Sequence, residues 1–281
     1  MLRAAKRPQP GKPEIRDIGF AETGPVTLVV GADDERVSDL GHLLAILATD
    51  RSVRTLPIAI AAPGAALALV SGEIERLSRF YGLNVRLIFA DAVDDVFDAL
   101  QAGVAATEAG TLALLSAHVL PLREGWLPEL LAAHRRSGER PLVCPTILYE
   151  DGSVRWAGTM LGENGDRRAI SQPHVGFPRS ALSGTGQQDI SAGTLEACVG
   201  SRATFVGLEG LGHGYLTPAA RNLDMAFRIR LNGTPAIWLP EVEMIAADDA
   251  LAPPGSREIH DRIDRALFDQ SWSLAIANLR R

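Results

Sequence analysis

The sequence predicts one α/β domain: a central, mostly parallel β-sheet flanked by helices. Three observations carry the prediction. Short β-branched runs alternate with amphipathic stretches through the first half of the chain, the connections between them are short, and Gly or Pro punctuates the boundaries. With 281 residues, 46% hydrophobic and 22% charged, the chain has the material for a sizeable core.

Each element has its own local reason. Residues 25–31 (PVTLVVG) form an apolar, β-branched run of the length of a buried strand. Residues 36–49 then set Val37, Leu40, Leu43, Leu44 and Leu47 on one helical face. A second strand is expected over 57–62 and a second helix over 65–81, closed by Gly82. The third and fourth strands fall at 84–90 (NVRLIFA) and 111–116 (TLALLS), with a helix over 93–108 between them. In such sheets ligands bind beyond the carboxyl ends of the strands, so the loops after Gly31, Ala61 and Ser116 are the candidate site.

The second half is less regular. A helix is expected over 125–136, with Trp126, Leu127, Leu130 and Leu131 as its apolar set. Extended runs at 142–149 and 153–156 flank Asp151-Gly152, a hairpin turn signal because Gly tolerates positive φ. Residues 158–186 show little periodicity and read as a long surface loop, in which Arg167, Arg168 and Arg179 are placed to meet a diphosphate or to stay solvated. A strand follows at 196–201, then a helix over 218–231 with Pro at its start and Asn232-Gly233 at its end. Two extended runs, 235–239 and 242–246, precede a polar linker and an amphipathic helix over 257–279. The expected organisation is a disordered or extended leader over 1–24, the α/β domain over 25–250, and a C-terminal helix over 251–281 packed on the domain or on a partner.

Charge and composition remove several function classes. The net charge is -6 and the basic residues are dispersed outside the first twelve positions, which excludes a nucleic-acid footprint. No apolar run approaches the ~20 residues of a transmembrane helix, and the N-terminal stretch lacks the apolar core of a signal peptide. A cytoplasmic protein is expected. Cys144 and Cys198 lie in apolar surroundings without metal-type spacing and read as buried thiols. P-loop and G-x-S-x-G motifs are absent, and GADDER stands where a dinucleotide fold would carry its glycine fingerprint.

From Leu114 onward the sequence resembles the family-two glycosyltransferases, which have the GT-A fold. The likeness rests on LLSAHVLPLREGWLPELLAAH, on LYEDGSVRWAGTMLG, and on the segment from Glu196 to Ile245, which keeps Gly210, Asp224, Arg228, Gly233 and Pro240 in order. The resemblance implies a nucleotide-diphospho-sugar donor and a carbohydrate acceptor. It also implies a D-x-D motif holding Mn or Mg at the end of the fourth strand, and an Asp that deprotonates the acceptor hydroxyl. This chain departs from that pattern at most of its catalytic acids. Ser116-Ala117-His118 stands in the D-x-D slot, Ala61 or Ala62 at the base-contacting Asp, Gly212 and His213 at a later acidic pair, and Asn222 at the catalytic base. The downstream His falls near Ala246.

The expectation is therefore a glycosyltransferase-like protein with weak or lost catalysis, a divalent metal being needed only if it is active. The alternative is a non-catalytic binding or scaffolding module in polysaccharide or cell-envelope assembly. Asp224 and Asn222 are the catalytic candidates, and Asp224 at four residues from Arg228 also reads as a helical ion pair. Asp33, Asp34, Ala61 and Ser116 are the nucleotide-binding candidates, the first two also being natural caps for the following helix. His118 is the metal candidate. The site is expected to be stripped of carboxylates. Ile259, Ile263, Leu267 and Trp272 on the last helix are candidates for a surface that meets a protein partner or a second copy.

Overall fold

The computed structural model describes residues 13–21, 24–164, 167–208, 214–247 and 254–278. Strands β1 (Glu14–Ile18), β2 (Val26–Gly31), β3 (Pro57–Pro63), β4 (Asn84–Ala90) and β5 (Thr111–Ser116) alternate with helices α1 (Leu40–Thr49), α2 (Arg51–Arg54), α3 (Gly64–Tyr81) and α4 (Val96–Ala105). The chain continues through β6 (Val119–Pro121), α5 (Trp126–Arg136), β7 (Leu142–Leu148), β8 (Val154–Trp156), β9 (Met160–Asn164), β10 (Arg167–Ser171), β11 (Gln188–Ile190) and β12 (Ala197–Ser201). It ends with α6 (Arg202–Val206), α7 (Pro218–Leu231), β13 (Ala236–Ala246) and α8 (Pro254–Asn278).

Among the described residues the main sheet runs β1-β4-β3-β2-β5-β12-β7-β13-β11, with β6 on β13 and β8 on β7. Its long strands are parallel: β4, β3, β2 and β5 in one block, β7 and β13 in another, with β12 inserted antiparallel between them. The expected α/β architecture holds. Strands β2 and β3 are buried almost throughout, which is why they are uninterrupted apolar runs and not alternating ones.

The order of the parallel block decides where a ligand can sit. The chain steps from β2 to β3 to β4 in one direction, then returns across both to lay down β5 on the far side of β2. Right-handed crossovers therefore put α1 and α3 on one face and α4 on the other. The crevice between the carboxyl ends of β2 and β5 is the switch point. Two glycines let α4 close onto β2. A Cβ at Gly103 would lie 2.4 Å from a Val29 methyl, and one at Gly31 would lie 2.7 Å from Leu100 and 2.9 Å from the Val96 carbonyl oxygen.

Three segments differ from the sequence reading. Part of the expected leader, Glu14–Ile18, is an edge strand antiparallel to β4, fastened by Arg86, which donates to both carboxylate oxygens of Asp17 and covers the Phe20 ring. The expected long loop contains the β9–β10 hairpin and a 3-10 turn at Arg179–Leu182. The runs at 235–239 and 242–246 are one strand, irregular between Leu239 and Glu243 where Pro240 interrupts pairing.

The C-terminal helix is docked on the domain. Asp264, 2% exposed, accepts hydrogen bonds from the Leu216 and Thr217 amides and from the Thr217 hydroxyl, Thr217 being the N-cap of α7. Its carboxylate thus faces the positive end of that helix. Phe268, Trp272 and Ile276 are buried, and the Phe268 ring lies 5.8 Å from Phe227. Trp272 is accordingly core and not part of an exposed patch, whereas Ile259, Ile263, Leu267 and Leu274 are exposed. Among the described residues no helix is long and apolar enough to cross a membrane.

Candidate active site at the carboxyl edge of the sheet

Four segments are knitted together beyond the ends of β2 and β5. The Ala117 amide donates to the Gly31 carbonyl at 2.8 Å, and the Ser116 amide to the Glu196 carbonyl at 2.7 Å. The Ala247 amide donates to the His118 carbonyl at 2.9 Å, and Val119 pairs with Ala246. The D-x-D slot, the residue heading β12 and the position of the family's downstream His are therefore neighbours.

The side chains then separate into two sets. Ala61 is wholly buried, and its carbonyl accepts from the Ala32 amide at 3.0 Å, so its methyl supplies wall and its carbonyl is already engaged. Asp33 accepts from the Arg36 amide at 3.0 Å through its carboxylate, shaping the turn into the first helix, while Asp34 is exposed. Ser116 is buried, and its hydroxyl has no hydrogen-bond partner.

His118 has the most telling surroundings. Its Nε2 lies 3.9 Å from the Glu196 carboxylate, and Arg155 grips that carboxylate with both terminal nitrogens, Nη2 to Oε1 at 3.0 Å and Nη1 to Oε2 closer still. Burial lowers the His118 pKa below its ordinary 6.5. Arg155 and Arg36 reinforce this, while Glu196 and Asp33 oppose it, so imidazole and not imidazolium is favoured near neutral pH. Burial pushes the Glu196 carboxyl up, but the charge and hydrogen bonds of Arg155, helped by His118, outweigh it and hold it below its usual value.

This corrects the expectation of a site without carboxylates. Among the described residues Glu196 lies beside His118, already neutralised by a guanidinium, and Asp33 acts on the imidazole from the loop after β2. The signal of Glu196 in the sequence was an acid at the head of an otherwise apolar run, EACVG; the Arg155 partner, 41 residues away, left none.

Asn222 holds the strap that carries Glu196. Its Oδ1 accepts from the Leu195 amide at 2.9 Å, and its Nδ2 donates to the Thr194 hydroxyl at 2.9 Å. Asp224 is elsewhere in character. It is fully buried beneath α8, accepting from Arg228 Nε at 2.7 Å, Trp272 Nε1 at 2.7 Å and the Tyr215 hydroxyl at 3.3 Å. His213 lies outside the described residues, as do Asp248 and Asp249, which follow Ala247 in the chain. Arg179 pairs with Glu243 at 2.5 Å.

A hard divalent cation needs several oxygen ligands. Among the described residues no group of three or more His, Cys, Asp or Glu side chains is arranged to hold a metal. His118 with a carboxylate already bound by arginine is a poor fit to Mg or Mn.

The mixed sheet with its flanking helices is a GT-A-like fold, and comparison with known proteins agrees at that level. It is similar to the mannosyltransferase PcManGT of Pyrobaculum calidifontis, solved with GDP-Man and Mn2+, at a TM-score of 0.58 and 15% identity, covering 94% of this chain and 68% of that one. It is also similar to GalNAc-T7, solved with UDP, GalNAc and Mn2+, at a TM-score of 0.53 and 14% identity, covering 79% and 43%. In sequence it is 29% identical over 185 residues to the uncharacterized protein y4gI of Sinorhizobium fredii, a match that takes in 64% of this chain and 19% of that protein. No family model matches.

Proposed function

We propose that this chain is a glycosyltransferase-like domain that receives a nucleotide-diphospho-sugar at the β2–β5 switch point, with weak or lost transfer to a carbohydrate acceptor. One observation carries the reading. The slot where the resemblance calls for D-x-D lies at the carboxyl ends of β2 and β5, yet it carries Ser116 and His118, and among the described residues the carboxylate nearest His118, Glu196, is bound by Arg155. The position of the acceptor base is Asn222, an amide engaged on both sides, which has no proton-accepting chemistry near neutral pH. Asp224, the other candidate, has its carboxylate committed to Arg228 and Trp272.

A second reading, a non-catalytic binding or scaffolding module, draws support from the exposed stripe of Ile259, Ile263, Leu267 and Leu274 on α8 and from the far greater length of y4gI. The test is thermal stabilisation by GDP and UDP, run beside an assay for nucleotide release from GDP-mannose and UDP-linked sugars. Stabilisation with little or no release is expected. Rapid turnover would overturn the claim of weak catalysis, and the absence of any stabilisation would overturn the donor site.

A further inference from the structure

The described residues at the end of β5 do not suit the metal that holds the diphosphate in the family this chain resembles. At the end of β5 the charge beside His118 is a guanidinium. Arg155, on β8, is only 21% exposed and is held by Glu196, which is 8% exposed. His118 lies against the same carboxylate at 3.9 Å, itself 13% exposed, and Arg36 acts on it electrostatically from the loop after β2. A second cation entering this position would meet a carboxylate already bound at both oxygens by Arg155, a pair with no uncompensated negative charge to offer. A diphosphate would compete with Glu196 for a planar fork of donors suited to phosphate oxygens.

We infer that Arg155, positioned by Glu196, takes the place of the divalent ion in this crevice, so that a nucleoside diphosphate binds here without metal. Arg36, paired with Asp39 at 3.5 Å, stands on the β2 side, and His118 adds a ring nitrogen that can hydrogen-bond. The inference rests on the donor-site reading above and adds the group that meets the phosphates. Glu196 acts through Arg155 and is a positioning residue. Its charge also restrains the site: with Glu196 neutralised, the same guanidinium attracts an anion more strongly.

The experiment is calorimetric titration of the full chain with GDP and with UDP, once in EDTA and once in Mn2+, with the bare nucleosides as controls. Dissociation constants within about twofold in the two buffers are expected, weakening as salt rises. Arg155→Gln should weaken binding about tenfold or more, and Arg155→Lys, which keeps the charge but loses the fork, by a smaller factor. Glu196→Gln should tighten it several-fold, a response that a purely structural ion pair would not produce. Circular dichroism of each variant checks folding, and the wild-type buffer comparison stands whether or not a variant folds. Binding that requires Mn2+, or that survives Arg155→Gln unchanged in a folded protein, overturns the inference while leaving the donor site in place. No binding in either buffer removes both.

Discussion

Glu196 and Asp224 are both buried carboxylates paired with an arginine, and they sit in opposite regimes. Asp224 lies under α8, wholly inaccessible, and its donors come from α7, α8 and the segment before α7. Glu196 lies at the carboxyl edge of the sheet beside His118; its arginine is 21% exposed against 37% for Arg228, so location and not the arginine's access separates the two pairs. The same chemistry fastens a helix in one place and lies at the proposed donor site in the other. A buried ion pair therefore identifies a functional group only through where it lies.

Substitutions should separate the two regimes. The largest effect is expected at Asp224. Asp224→Ala leaves the Trp272 indole N–H without its partner and releases Arg228, and should cost about 3 kcal/mol in urea unfolding, with faster amide exchange along α8. Nucleotide binding retained at temperatures where the variant is folded would support the structural role. Full stability with abolished binding would move Asp224 into the site and dissolve the contrast.

Asn222→Ala should come next, at about 1–2 kcal/mol, because the buried Leu195 amide and Thr194 hydroxyl lose a partner. Unlike Asp224→Ala it should also alter nucleotide affinity, since the strap it frees carries Glu196. An unchanged affinity would mean that Glu196 is positioned by β12 alone.

A smaller effect follows from His118. Its folded-state pKa is lowered by burial, so below about pH 6.5 the unfolded chain takes up the proton first. The stability held above that pH is lost as pH falls through 6.5 toward the folded value. Thermal melts between pH 5 and 8, roughly the range in which histidine titrates, should show this slope in the wild type and a shallower one in His118→Gln. Equal slopes would place the imidazole in water. The smallest effect is expected at the half-exposed pair of Arg123 and Glu129, where Arg123→Ala should cost about 0.5 kcal/mol despite its short 2.6 and 2.7 Å contacts.

The parallel block was legible because burial on both faces writes strands as unbroken apolar runs. Asn84–Ala90, Thr111–Ser116 and the helix Pro218–Leu231 fall where their patterns put them. Strand β1 was hidden because an edge strand of sequence EIRDI is four-fifths exposed and reads as a polar leader. The β9–β10 hairpin was hidden because MLGEN and RRAIS carry no alternation. At the site, the positions came from family resemblance, and the structure brings Ser116, His118 and Ala246 together. What the sequence concealed was chemistry formed by contact. Arg155 reads as a hairpin residue and Glu196 as a strand residue until the β7–β8 hairpin folds over the head of β12.

The central claim is the proposal that Arg155 at the end of β5 takes the place of a divalent ion, for which the described residues there offer too few ligands. Paramagnetic resonance of free Mn2+ during titration into the protein tests this without any nucleotide. Affinity no tighter than millimolar, and unaffected by Glu196→Gln, is the predicted result. A stoichiometric micromolar site lost in Glu196→Gln or His118→Gln would contradict it.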